Sequence, residues 1–124
     1  MFLCVRRGWG TNPGGHEKER IMDKSFQGSE VKYLVDFKSD GFDMDRDDFN
    51  ITLRRGNVSR TFPKSELVRE ETAQGINYYL CFDNTEFGPG QLTMIVEAYV
   101  PDTDFPDGYR TELDKFILTQ IEAV

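Results

Sequence analysis

The chain has 124 residues, a formal net charge of −7, 38% hydrophobic residues, ten Phe and five Tyr. That length suits one domain around one core, and the aromatic, folded composition sets aside both a second domain and a disordered body. Residues 1–21 hold four basic against two acidic side chains and the remainder eleven against twenty; so acidic a body repels phosphate backbones, which excludes nucleic acid as an expected partner.

Residues 1–30 show no hydrophobic period and are rich in Gly, Pro and charge, as in Gly8-Trp9-Gly10 and Asn12-Pro13-Gly14-Gly15. They read as a mobile tail. A second reading of residues 1–21 stands beside it: Met22 opens a stretch that joins smoothly to the first predicted strand, so the preceding residues are upstream sequence if the start lies there. Met1-Phe2-Leu3-Cys4-Val5 followed by Arg6-Arg7 reverses the order of a signal peptide, whose basic residues come first, so export by the general secretory route is not expected. No run approaches the roughly 20 apolar residues of a membrane span, and no membrane partner is expected.

The domain is predicted over residues 31–124. Val31, Tyr33, Val35 and Phe37 alternate with polar neighbours, broken by Leu34, and mark a first strand. An acidic loop follows over Asp40–Asp48. Phe49, Ile51 and Leu53 form a second strand, and Arg55-Gly56-Asn57 is a tight turn into a short third one with Val58, Arg60 and Phe62. Lys64 to Gln74 supports about one helical turn and reads as a crossover. The next strand is Asn77 to Phe82, with Tyr78, Leu80 and Phe82 on one face.

Phe87-Gly88-Pro89-Gly90 is a turn feeding the strand that commits most firmly. Leu92, Met94, Val96, Ala98 and Val100 recur at period two, and Ile95 is the apolar exception on the opposite face. Pro101 to Gly108 is a loop with three aspartates and two prolines. Tyr109–Glu112 and Lys115–Ala123 supply one or two closing strands, with Phe116, Leu118 and Ile121 inward. Six or seven short strands with regular turns and no long helix indicate an all-β, antiparallel, immunoglobulin-like β-sandwich, with a small barrel as the alternative.

Asp43, Asp45 and Asp47 stand at the first, third and fifth spacing of a calcium loop, but Asp48 holds the place of its Gly and Arg54 that of its bidentate Glu. A surface loop accounts for the charges without a metal, and Asp102, Asp104 and Asp107 add at most a weak second contribution if both loops share one end. His16 is the only histidine and lies in the tail, and nothing in the sequence holds two carboxylates in a cleft. No catalytic, cofactor or metal residues are assigned, no cofactor is expected, and an enzyme is not expected. Cys4 and Cys81 do not form a disulfide framework, and a cysteine inside a strand reads as packing. Tyr79, Tyr99 and Tyr109 are candidates for a glycan or protein surface, with Tyr79 assigned to the core. Trp9 reads as exposed, and the triplets at Asn50 and Asn57 carry no weight outside a secreted eukaryotic protein.

Gly41-Phe42-Asp43-Met44 with Phe49-Asn50-Ile51-Thr52-Leu53, then Tyr79-Leu80-Cys81-Phe82-Asp83, Gly88-Pro89-Gly90-Gln91-Leu92 and Val100 to Glu112 follow one another in an order that carries a resemblance. From about Val31 onward the chain resembles small immunoglobulin-like domains of phages and prophages of gut bacteria, similar to the N-terminal domain of the upper baseplate protein of tailed phages. The resemblance implies a virion or tail-associated structural module, found in the virion or in the bacterial cytoplasm before assembly. It would work through protein–protein contacts with tail or baseplate proteins or with itself. A glycan- or host-surface-binding module is the alternative.

Overall fold

Alternation of apolar and polar side chains builds most of the strands, and the computed structural model describes them over residues 2–7 and 24–124. In chain order these are β1 (Phe2–Arg7), β2 (Lys24–Phe26), β3 (Glu30–Lys38), β4 (Phe49–Arg55), β5 (Val58–Pro63), β6 (Val68–Thr72), β7 (Gly75–Asp83), β8 (Gly90–Pro101) and β9 (Tyr109–Glu122). One sheet has the order β1-β3-β7-β6 and the other β2-β9-β8-β4-β5. All pairings are antiparallel except that of β2 with β9. The first order is the A-B-E-D sheet of an immunoglobulin domain. The second is its G-F-C sheet extended by one strand beyond C, with β2 running parallel to the last strand. The fold is an immunoglobulin-like β-sandwich.

The two inner faces meet in one aromatic core. Val31, Tyr33, Val35 and Phe37 of β3 and Tyr78, Leu80 and Phe82 of β7 close one side. Phe49, Ile51 and Leu53 of β4, with Leu92, Met94, Val96 and Ala98 of β8, close the other. Phe49 receives the edges of its neighbours, at 4.9 Å from Phe37 and 5.8 Å from Tyr78, both near perpendicular. Such edge-to-face pairs contribute about 0.5–1.5 kcal/mol each beyond the area they bury. No cysteine stands among these inner residues, so the core holds by packing where antibody domains add a disulfide between the sheets.

The N-terminal reading changes. Within the predicted tail, Phe2–Arg7 pairs with β3 from Phe2↔Lys38 to Arg7↔Tyr33, and Lys24–Phe26 pairs with the end of β9. Residues 8–23 lie outside the described residues, as do Trp9, His16 and the Met22 start. The strand count among the described residues is nine rather than six or seven. Part of the excess is β6, predicted as a crossover. It follows a 3-10 turn at Lys64–Glu66, and all five of its residues are exposed, so no apolar alternation betrays it. The closing segment is one strand of 14 residues, and an irregularity between Leu92 and Thr93 of β8 lets Leu118 and Thr119 both be buried. Cys81 is corrected as well: it is free and exposed, on the outer face opposite Lys32.

A buried polar residue ties the two sheets together at one end. A 3-10 turn, Asn84–Glu86, follows β7, and Asp83 caps it by accepting the Thr85 amide at 2.9 Å. Asn84 is completely buried. Its Oδ1 accepts the amides of Gly28 (2.8 Å) and Ser29 (3.0 Å), and its Nδ2 donates to Phe26 O (3.0 Å) and Ser25 Oγ (3.1 Å). The β2–β3 turn is thereby joined to the β7–β8 corner by one side chain with all its hydrogen-bonding capacity used.

Candidate functional site

The β3–β4 and β8–β9 loops share one end of the sandwich. Ser39 Oγ donates to Glu112 Oε1 at 2.8 Å, and the Tyr99 amide donates to Asp48 O at 3.1 Å. The aspartates of the two loops nevertheless do not converge. Asp43 Oδ1 accepts the amides of Asp45 (2.8 Å) and Arg46 (3.1 Å), which shapes the turn. Arg46 forks onto Asp47 at 2.9 and 2.7 Å. Asp45 turns away toward β6, where Arg69 donates to it through Nε (2.7 Å) and Nη2 (3.0 Å) and the Tyr78 hydroxyl donates at 2.6 Å. Asp102 is held by Arg110 at 2.8 Å and by the Asp104 amide at 3.0 Å. Among the described residues no three His, Cys, Asp or Glu side chains are grouped to hold a metal ion.

These pairings also set the charges. The Arg69 guanidinium, then the Tyr78 hydroxyl, hold the Asp45 carboxyl well below the usual range. Arg46 does the same for Asp47. Burial and the bond to Asp45 push the Tyr78 hydroxyl upward. Each shift favours the charge state already present at neutral pH.

Beside this cluster lies an open cleft of about 610 Å³. It exists because β3 and β7 part company: their pairing runs from Glu30↔Asp83 only to Val35↔Tyr78, although β3 continues to Lys38 and β7 begins at Gly75. Met44 enters the gap, and its sulfur accepts the Phe37 amide at 3.2 Å. Phe37, Phe42, Met44, Ile76 and Tyr78 line the floor, with Asp36, Lys38 and Arg46 among the rim groups. Ser39, whose hydroxyl is held by Glu112, also lines the cleft; Asp36 pairs with Lys38 there, while Asp45 and Arg46 are held by Arg69 and Asp47.

The outer face of the five-stranded sheet is different in kind. Its side chains stand in rows set by register. Asn50, Glu97 and Leu113 form one row, Thr52, Ile95 and Lys115 the next, and Arg54, Thr93 and Ile117 a third. Leu113 is 66% exposed and Ile117 44%. At the loop end of the face Tyr99 and Tyr109 meet edge to face at 5.4 Å. Tyr99 donates its hydroxyl to Glu97 at 2.6 Å, and Asn50 Nδ2 donates to both, at 3.2 Å each. The bond to Glu97, with burial, pushes the Tyr99 hydroxyl upward.

Two of the three tyrosines singled out from the sequence therefore come together. Tyr79 does not join them and is not in the core: it is half-buried on the outer face of the other sheet, with Lys32 Nζ 4.4 Å from its ring centre and its hydroxyl donating to Glu70 at 3.1 Å. Sequence reading missed Leu113 and Ile117 as surface residues. The signal was present, since both share the period of Tyr109 and Lys115 and oppose that of Phe116.

No family model matches the chain, and no curated protein matches it. Among solved structures, the chain is similar to the endo-beta-1,4-mannanase from Thermotoga petrophila at 18% identity and a TM-score of 0.44, over 89% of this chain and 22% of that one.

Proposed function

We propose that the chain is a non-catalytic assembly module that works through protein–protein contacts, in the setting of a phage or prophage tail or baseplate. The observation that carries the reading is the exposed pair Leu113 and Ile117, two rows apart along β9 on the outer face of the five-stranded sheet. Phe26, Val68, Ile76 and Phe105 are also exposed elsewhere, but Leu113 and Ile117 stand on one strand of one sheet face with the half-buried Ile95 between their rows, and apolar surface gathered on one face marks an interaction site. Arg54 and Lys115, on the same face, have no salt-bridge partner among the described residues, whereas Arg46, Arg60, Arg69 and Arg110 are all paired. Docking there would break no ion pair among the described residues. The phage setting rests on the resemblance in the order of turns and strand faces.

Co-purification of the full chain with the products of neighbouring genes tests the reading. A tail or baseplate protein retained by the wild type and released by Leu113→Arg supports it. Retention of none of them, by a chain that shows no self-association either, overturns it.

A glycan-binding module is the second reading, and Tyr99 with Tyr109 favours it. Tyr109 leaves 39% of its surface exposed against the ring of Tyr99, whose hydroxyl is bonded to Asn50 and Glu97, so apolar rings stand near polar groups of the kind that meet sugar hydroxyls. Binding of a defined oligosaccharide on an array, lost in Tyr109→Ala, would promote this reading over the first.

A further inference from the structure

The charge on the outer face of the five-stranded sheet bears on what covers it. The chain carries −7 overall, yet the three central rows hold only Arg54, Lys115 and Glu97 as charged side chains, a formal sum of +1. Two copies meeting through most of their surface set acidic groups against acidic groups, whereas this face sets only a formal +1 against +1. The rows are also self-complementary. Glu97 and Leu113 stand one row to one side of the Thr52, Ile95 and Lys115 row, and Arg54 and Ile117 one row to the other. A half-turn about an axis lying in the face along the central row exchanges the outer two. Each Leu113 then lies against the partner's Ile117, and each Glu97 within about a strand spacing of the partner's Arg54.

We propose that this face pairs with the same face of a second copy, giving a two-fold dimer of facing sheets. The proposal rests on the reading of the chain as a protein–protein module and names its first partner. Lys115 falls near the axis, where two ammonium groups would meet, but β2 pairs with β9 only at Gln120–Glu122. At the level of Lys115 no described strand lies beyond β9, so its long stem can cover the apolar row while the charge reaches water at the sheet edge. Four strands by three rows cover roughly 400 Å² of sheet on each copy, at the small end for an interface, so the dimer is weak and concentration-dependent.

Sedimentation velocity of the full chain from low micromolar to near-millimolar concentration tests this. The mass should rise toward twice that of the monomer. Leu113→Arg and Ile117→Arg should each weaken dimerisation at least about 30-fold without lowering the melting temperature, since both side chains are exposed. Arg54→Glu and Glu97→Arg should each weaken it, and the double variant should recover part of the loss, which a merely sticky surface would not do. A monomer at every concentration, or a dimer that Leu113→Arg and Ile117→Arg leave intact, overturns the pairing. If the monomeric chain still captures a neighbouring gene product in a Leu113-dependent way, self-pairing falls and the module reading stands. If it captures nothing, both fall.

Discussion

Asn84 Nδ2 donates to Ser25 Oγ at 3.1 Å across 59 residues of sequence, in a site sealed from water. Ser25 in turn lies 3.4 Å from the Thr119 hydroxyl, so β2, β9 and the β7–β8 corner share one short polar chain. Asn84→Ala would leave the Gly28 and Ser29 amides and the Phe26 carbonyl without this partner, at a cost of about 2–4 kcal/mol. Urea denaturation measures the loss. Hydrogen exchange at Gly28 and Ser29 should speed up with it, and unchanged exchange at both would show that water replaces the side chain without cost.

Removal of residues 1–7 should destabilise the sandwich, although the amino-acid pattern there suggests a dispensable tail. β1 covers one edge of β3 over six residue pairs. Without it that edge presents unpaired backbone groups to solvent and to other chains. A chain lacking residues 1–7 should lose about 1–3 kcal/mol by urea denaturation and aggregate more readily, because ladder bonds are lost and an edge is opened. Equal stability and solubility of the two chains would mean that β1 contributes nothing to holding the sheet.

Acid should unfold the protein partly through its arginine-paired carboxylates. Asp45, Asp47, Asp102 and Glu112 all titrate below their ordinary values when folded, each stabilised by hydrogen bonds that include an arginine or a backbone or hydroxyl donor. A depressed folded value means that the stabilisation is complete above the unfolded value, near pH 4, and is lost as pH falls through the folded ones. The urea midpoint should therefore drop steeply below about pH 4. Asp45→Asn should lower it at neutral pH and flatten the drop, and an acid limb identical to wild type would remove the Asp45 and Arg69 pair from the explanation.

The turn before β8 depends on glycine at two places. Gly88 sits at φ 78° and Gly90 at φ 132°, and a Cβ on Gly90 would stand 2.7 Å from Cδ of Arg55. Arg55 donates through Nε to Phe87 O, so moving its side chain aside also releases the carbonyl at the turn. Gly88→Val should cost about 1–2 kcal/mol from backbone strain, and Gly90→Val more, since strain and displacement of Arg55 add. Thermal denaturation of the two variants checks the order.

The strands legible in the sequence were those with one wet face and one dry. β3, β4, β7 and β8 each alternate because the core accepts every second side chain, and their inward residues are buried as the pattern requires. β6 was hidden because both of its faces are exposed, so Val68-Arg69-Glu70-Glu71-Thr72 carries no period. β2 is three residues long, too short for any period to register. Asn84 was read as a turn residue, which it is, but a single sequence cannot distinguish a solvated turn asparagine from one enclosed by four partners. The acidic loop showed its metal-like spacing without showing that Arg46, Arg69 and Lys64 occupy the same carboxyl and carbonyl oxygens. Tyr79 was misplaced because Tyr78 and Tyr79 are adjacent and either is suited to a core.

On the proposed reading, the outer face of the five-stranded sheet is where this protein meets another protein. Amide chemical shifts of the labelled full chain, followed as an unlabelled tail or baseplate protein or further copies of the chain are added, test it most directly. Shifts and broadening should be confined to the outward positions of β4, β8 and β9, centred on Leu113 to Ile117 and absent in Leu113→Arg. Saturable shifts centred on Tyr99 and Tyr109 on addition of an oligosaccharide, with none on addition of any protein, would contradict it.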